Sequence, residues 1–99
     1  IQQLGELAFH DEGYFLLQGQ PLALTPREQA LLTVLMYRRL RPVSRQQLFE
    51  QVFSLNDEVS PESIELYIHR LRKKLQGSDV RIATLRGLGY VLERNDEVG

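Results

Sequence analysis

The sequence predicts an α+β fold in which an amino-terminal antiparallel β-sheet is followed by three helices and a carboxy-terminal β-hairpin. Two observations support this prediction. Three apolar segments each begin with a helix start signal, and short apolar runs bounded by turn residues precede and follow them. The 99 residues fit a single domain, residues 1–99, and 42% apolar residues are enough to build one modest core.

Short strands are expected in the first 24 residues. Segments 4–9, 14–17 and 22–24 are rich in apolar residues, and turn-forming residues at 11–13 and 18–21 separate them. The residues of this part of the chain therefore predict three strands.

The first two helices are each marked by a capping box, in which a side-chain hydroxyl and a side chain three residues later satisfy each other's backbone N–H groups. Thr25 and Glu28 form the first box, with a proline at the first helical position, and Ser44 and Gln47 form the second. We expect the first helix to run to about residue 39 and the second to residues 52–53.

The third helix is predicted to start at Ser60, with proline at its first position, and to end near residue 75, where Gly77 can adopt a left-handed conformation. One face repeats apolar residues at helical spacing and belongs to the core. The opposite side carries a stripe formed by Ser63, Leu66 and Arg70. Such side chains can read base edges in a DNA major groove. An amphipathic helix with a solvated basic face explains the pattern equally well.

The last element is a hairpin with expected strands 80–85 and 90–93. Arg86 stands at its tip beside Gly87 and Gly89, which permit a tight turn and close approach to another surface. An arginine on a thin tip can enter a narrow minor groove, although a solvated arginine on an ordinary turn explains the tip better when it is taken alone. Because about seven residues separate the second and third helices, the order of elements indicates a loose helix-turn-helix followed by a wing.

The charge distribution favours nucleic-acid binding in spite of a net charge of −1. Residues 38–45 contain four arginines and no acid, and residues 66–90 contain six basic residues and one acid. With no cysteine and two histidines, we expect no catalytic residue, metal or cofactor, and therefore no enzyme. A module that only docks proteins is the other alternative, and it would leave the arginines without a purpose. No apolar run approaches the length of a membrane span, and a cytoplasmic location without membrane contact is expected.

Four segments carry a resemblance to a known family: LTPRE at 24–28, PVSRQQL at 42–48, IELYIHRLRKKL at 64–75 and IATLRGLGY at 82–90. They are similar to the successive signatures of the output domain of OmpR/PhoB-type bacterial response regulators. The resemblance implies a four-stranded amino-terminal sheet and sequence-specific binding of double-stranded DNA in transcription regulation. It places helix 61–75 in the major groove and wing 80–93 in the minor groove. The receiver domain, through which a sensor histidine kinase acts, is expected to be absent from this chain.

The resemblance also implies roles for individual residues. Base contacts are expected from Ser63, Leu66, Arg70 and Arg86. Phosphate contacts are expected from Arg45, Tyr67, Arg72 and Thr84. Further candidates for DNA contact are Glu62, His69 and Lys73.

Two of these candidates depart from the family pattern. Glu62 lies where some relatives carry an arginine or a small polar residue; a carboxylate there repels phosphate but can accept a hydrogen bond from cytosine N4. His69 replaces a basic or polar residue. Glu65 resembles an acidic position that forms an internal ion pair, and Phe53 matches an aromatic position beside the DNA backbone.

The connection between the second and third helices is short and acidic. In the family this loop can meet RNA polymerase, and the candidate contacts here are Leu55, Asn56, Asp57 and Glu58. A solvated turn explains the segment equally well. The resemblance further implies that two copies bind direct-repeat promoter sites as a tandem dimer.

Overall fold

The computed structural model describes residues 1–53 and 58–95, and these form a winged helix. The amino-terminal strands are β1 (Gln2–Leu4), β2 (Leu7–Phe9), β3 (Phe15–Leu17) and β4 (Gln20–Pro21). The helices are α1 (Pro26–Tyr37), α2 (Arg45–Val52) and α3 (Ser63–Leu75), and the wing consists of β5 (Val80–Leu85) and β6 (Gly89–Arg94). Both sheets are antiparallel, so the predicted α+β class is confirmed.

The amino-terminal sheet has four strands in the order β1-β2-β3-β4, as the resemblance implies. The single strand expected at 4–9 is wrong, because the chain turns at Gly5, whose φ is +54°. A distant residue holds this turn: the Asp79 carboxylate accepts from the Glu6 N–H at 2.7 Å and would overlap a Cβ at Gly5. The strand expected at 22–24 is also wrong, since β4 ends at Pro21 and the chain leaves the sheet to reach the start of α1.

Both predicted capping boxes are present at the starts of α1 and α2. The predicted start of α3 is wrong by two residues, since the first helical residue is Ser63 and not Pro61. Residues 60–62 form a turn in which the backbone N–H and the hydroxyl of Ser63 both donate to the Ser60 carbonyl, at 3.0 and 2.7 Å. The N-cap position is occupied by Glu62, and α3 begins without a side-chain cap.

The core lies between the three helices and the inner faces of the two sheets. The apolar face expected on α3 is confirmed, since Ile64, Ile68, Leu71 and Leu75 are each at most 2% exposed. Burial of this face fixes the rotation of α3 about its axis, and therefore which side chains it turns outward.

The wing is attached to the segment that leads into α2. Val43 and Tyr90 exchange two backbone hydrogen bonds, of 2.8 and 2.9 Å, and so extend the hairpin by one bridge. Gly89 has a φ of +122°, and a Cβ there would overlap the Val43 carbonyl oxygen. The close approach that this glycine permits is therefore to the chain's own backbone.

Candidate nucleic-acid interface

The outer face of α3 presents the stripe that the sequence predicts. Leu66 is 48% exposed, Arg70 is exposed and Ser63 is half-buried, all on the side away from the core. Because the Ser63 hydroxyl donates to the Ser60 carbonyl, its oxygen has only acceptor capacity left for an outside partner. The stripe thus combines an acceptor, an apolar surface and a cation.

Aromatic rings support Arg70 from below. Its guanidinium lies 5.5 Å from the centre of the Tyr67 ring, and Tyr67 packs at 5.8 Å against Phe53. Phe53 is only 7% exposed, and Arg27 covers its ring at 4.3 Å. Phe53 is therefore part of the core, and any influence on DNA would pass through the side chains that cover it.

Arg72 joins α3 to the wing. Its Nε donates to the Ile82 carbonyl at 2.9 Å and its Nη2 donates to the Thr84 hydroxyl at 2.7 Å. Two residues expected to contact phosphate are thus brought together, and these bonds restrict the direction of the guanidinium.

Arg45 binds two carboxylates at the start of α3. Its Nη1 lies 2.9 Å from Glu65 Oε1, and its Nη2 lies 3.9 Å from Glu62 Oε1. The internal ion pair expected of Glu65 is present. The Arg45 side chain remains 42% exposed, and a guanidinium has five N–H donors, so it can bind a further acceptor.

A cleft of about 530 Å³ separates the start of α2 and the side of α3 from the wing tip. Its lining includes Arg45, Glu65, Thr84 and Arg86. Arg86 is exposed and has no hydrogen bond or ion pair within residues 1–53 and 58–95. A second cleft, of about 430 Å³, lies between the end of α3 and β5, and both His69 and Lys73 line it.

Lys74 is turned away from this interface. It is one of the six basic residues of the stretch 66–90, but its Nζ lies 2.6 Å from Glu28 Oε1 and donates to the Ala23 carbonyl at 2.8 Å. Burial raises the pKa of the Glu28 carboxyl, but hydrogen bonds from Lys74 and Thr25 outweigh burial and hold that pKa below its ordinary value. This ion pair is structural, and its partners are 46 residues apart.

The candidate polymerase loop lies mostly outside the described residues. Leu55, Asn56 and Asp57 fall there, and Glu58, which the structure describes, is exposed. Within the described part of the chain, no group of histidine, cysteine or acidic side chains could hold a metal ion. In the same part, no helix is long and apolar enough to cross a membrane.

These features define a winged-helix domain of a transcriptional regulator. The chain belongs to the family described as transcriptional regulatory protein, C terminal, whose family model matches residues 19–92, and it is of the OmpR/PhoB type. It is 95% identical over its 99 residues to the transcriptional regulatory protein TctD of Salmonella typhimurium, and it spans 44% of that protein's length. The family is one of transcription regulators and not a class of enzymes.

Solved structures show the same fold. The DNA-binding domain of CpxR from E. coli superposes with a TM-score of 0.76 at 29% identity, covering 94% of this chain and 95% of that one. DrrB of Thermotoga maritima, an OmpR/PhoB homologue, gives a TM-score of 0.78 at 28% identity, covering 92% of this chain and 43% of that one.

Proposed function

We propose that the chain binds double-stranded DNA sequence-specifically, as the output domain through which a two-component response regulator controls transcription. In this proposal α3 enters the major groove and the wing tip enters the minor groove. One observation carries it. Along α3 and at the wing tip lie four cations that have no acid partner among the described residues. Arg86 lines the 530 Å³ cleft, Arg72 and Lys73 line the 430 Å³ cleft, and Arg70 is exposed on α3.

Base reading is assigned to the outer face of α3 and the wing tip. Arg70 can bond to guanine O6 and N7, Leu66 can contact a thymine methyl group, and Ser63 can accept from a base amine. Arg86 projects from a hairpin fixed at Val43, which suits insertion into a narrow minor groove.

Phosphate contacts are assigned to the residues that surround these readers. Arg72 and Thr84 are already bonded to each other, so one phosphate can meet both groups with little reorganisation. Arg45 can bridge Glu65 and a phosphate, and Tyr67 can offer its hydroxyl. His69 and Lys73 remain candidates for further DNA contacts along the second cleft.

The same proposal includes the partners. Two copies would bind direct repeats about one helical turn apart as a tandem dimer. A sensor histidine kinase would act through a receiver domain outside this chain, in the cytoplasm. Glu58 and its neighbours Leu55, Asn56 and Asp57 would be candidates for contact with RNA polymerase. The similarity to the CpxR domain, which is a DNA-binding domain, supports the DNA-binding part of the proposal.

Salt dependence tests the proposal. If about three or four phosphates are neutralised, affinity should fall about 40- to 150-fold between roughly 50 and 200 mM salt. Arg72→Ala should lower the slope of log K against log salt by about 1. Arg38→Ala is the matched control and should leave the slope unchanged, because it removes an exposed arginine at the end of α1 that lines neither cleft. Filter binding that shows no salt dependence would exclude this function.

A further inference from the structure

We infer that Glu62 is a specificity-determining residue, whose carboxylate accepts a hydrogen bond from the N4 amine of a cytosine in the major groove. This inference rests on the proposed function and adds one base of the recognised sequence to it.

Along the outward face of α3, the side chains change from hydrogen-bond acceptors at the start of the helix to hydrogen-bond donors further along. At its start, Glu62 offers an ionised carboxylate, and the Ser63 hydroxyl has acceptor capacity only, because its proton is directed to the Ser60 carbonyl. Further along, Arg70 and Lys73 offer donors only. The start of the helix therefore suits bases that present donors, and its later part suits guanine.

Glu62 is exposed and lies next to Arg45. Its side chain is 65% exposed, so it is free to meet a ligand. The Ser60 hydroxyl bonds to its carboxylate and, together with the Glu62 backbone N–H, keeps its pKa below the ordinary value, so the group stays ionised at neutral pH. Arg45, at 3.9 Å, offsets part of the negative charge that would otherwise repel nearby phosphates.

The four bases differ in what they present to a fixed carboxylate. Cytosine presents the N4 amine as a donor. Guanine and thymine present acceptors at this edge and repel the carboxylate, and adenine presents its N6 amine beside the N7 acceptor, which also repels it. An acceptor-only side chain therefore selects cytosine, whereas a glutamine at the same place would pair with adenine N6 and N7.

The experiment is a selection of bound sites from random duplexes, followed by titrations on four duplexes that differ only at the base pair assigned to Glu62. Wild type should favour cytosine by roughly ten-fold or more. E62Q should move the preference to adenine, and E62A should abolish it. Glu12→Gln, which removes an exposed charge in the turn before β3, is the matched control and should keep the cytosine preference.

Arg70→Ala locates the effect within the site. Glu62 and Arg70 are eight residues apart, which is about 12 Å along a helix and about three to four base pairs. The two substitutions should therefore change different base pairs of one half-site.

The outcomes separate the two proposals. A gain in affinity by E62Q that is equal on all four duplexes would mean that Glu62 acts only as a charge, and it would overturn the inference. An unchanged cytosine preference in both variants would overturn it as well. Absence of DNA binding by wild type would instead reject the proposed function.

Discussion

Glu28→Gln tests the buried ion pair between α1 and α3. Glutamine keeps the size of the side chain and the Oε1 that accepts from both the Thr25 N–H and the Lys74 ammonium, so the change removes the negative charge from the 2.6 Å contact with Lys74. A hydrogen bond between charged groups stabilises a fold by about 1.5–3 kcal/mol, and this is the upper limit of the loss because the amide oxygen still accepts from Lys74. The Lys74 side chain is 35% exposed and can turn to water, which keeps the cost below that of a stranded buried charge. The melting temperature should fall by roughly 6–20 °C.

The same variant has a pH signature. The pKa of folded Glu28 lies below the ordinary value of 4.5, so the carboxylate stabilises the fold fully above that pH and loses its contribution as the pH falls through the folded pKa. The difference in unfolding free energy between wild type and Glu28→Gln should be constant near neutral pH and shrink in acid.

Thermal and urea unfolding between about pH 3 and 7 measure this difference. Glu12→Gln, in an exposed turn, is the control for loss of one negative charge. Lys74→Met should cost more than Glu28→Gln, about 3–5 kcal/mol, because it strands a carboxylate that is 3% exposed. A Glu28→Gln variant as stable as wild type at pH 7, or a difference that persists unchanged in acid, would refute the reasoning.

Four substitutions probe the wing and the helix. Gly89→Ala should destabilise the fold by about 2–4 kcal/mol in urea unfolding, because a Cβ there disrupts the Val43 bridge, whereas Gly87→Ala, with open space around it, should cost about 1 kcal/mol. An equal loss of stability in Gly89→Ala and Gly87→Ala would contradict the attachment of the hairpin at Val43. Arg70→Ala should relax base preference at one or two positions in site selection; an unaltered preference would move Arg70 to the phosphate contacts. Arg86→Ala should reduce the affinity difference between duplexes with A/T-rich and G/C-rich flanks, and an equal loss on both would leave only a phosphate contact.

The accuracy of the sequence-based predictions depends on the range of the interaction concerned. Both capping boxes were predictable because each links residues three apart, and the outward stripe of α3 follows from its period. The turn at Gly5 was not, since it depends on Asp79, and neither was the partner of Lys74, which lies on another helix. The start of α3 was misplaced because Ser60 closes a turn through its carbonyl, which accepts from the Ser63 N–H and hydroxyl, and does not cap the helix.

The sequence also does not show which basic residues at the interface are paired with acidic ones. A basic residue in the sequence carries no sign of its partner, so Arg45 and Lys74 looked alike. The structure separates them: Arg45 keeps exposed donors beside its two carboxylates, while Lys74 is committed to Glu28 and the Ala23 carbonyl. Only the folded chain shows which cations remain available to a ligand.

The hairpin is attached to the rest of the domain at two places, and these attachments fix the distance between the wing tip and α3. Val43, just before α2, pairs with β6, and Arg72 bonds β5 to α3. The wing tip and α3 therefore keep a fixed separation. A single base pair inserted between the A/T-rich flank and the bases read by α3 shifts one contact by about 3.4 Å along the duplex. Because both of its strands are bonded to the rest of the domain, the hairpin cannot move relative to α3 to follow that shift. The domain should therefore discriminate between sites by the spacing of their parts, even where every base that it touches is unchanged.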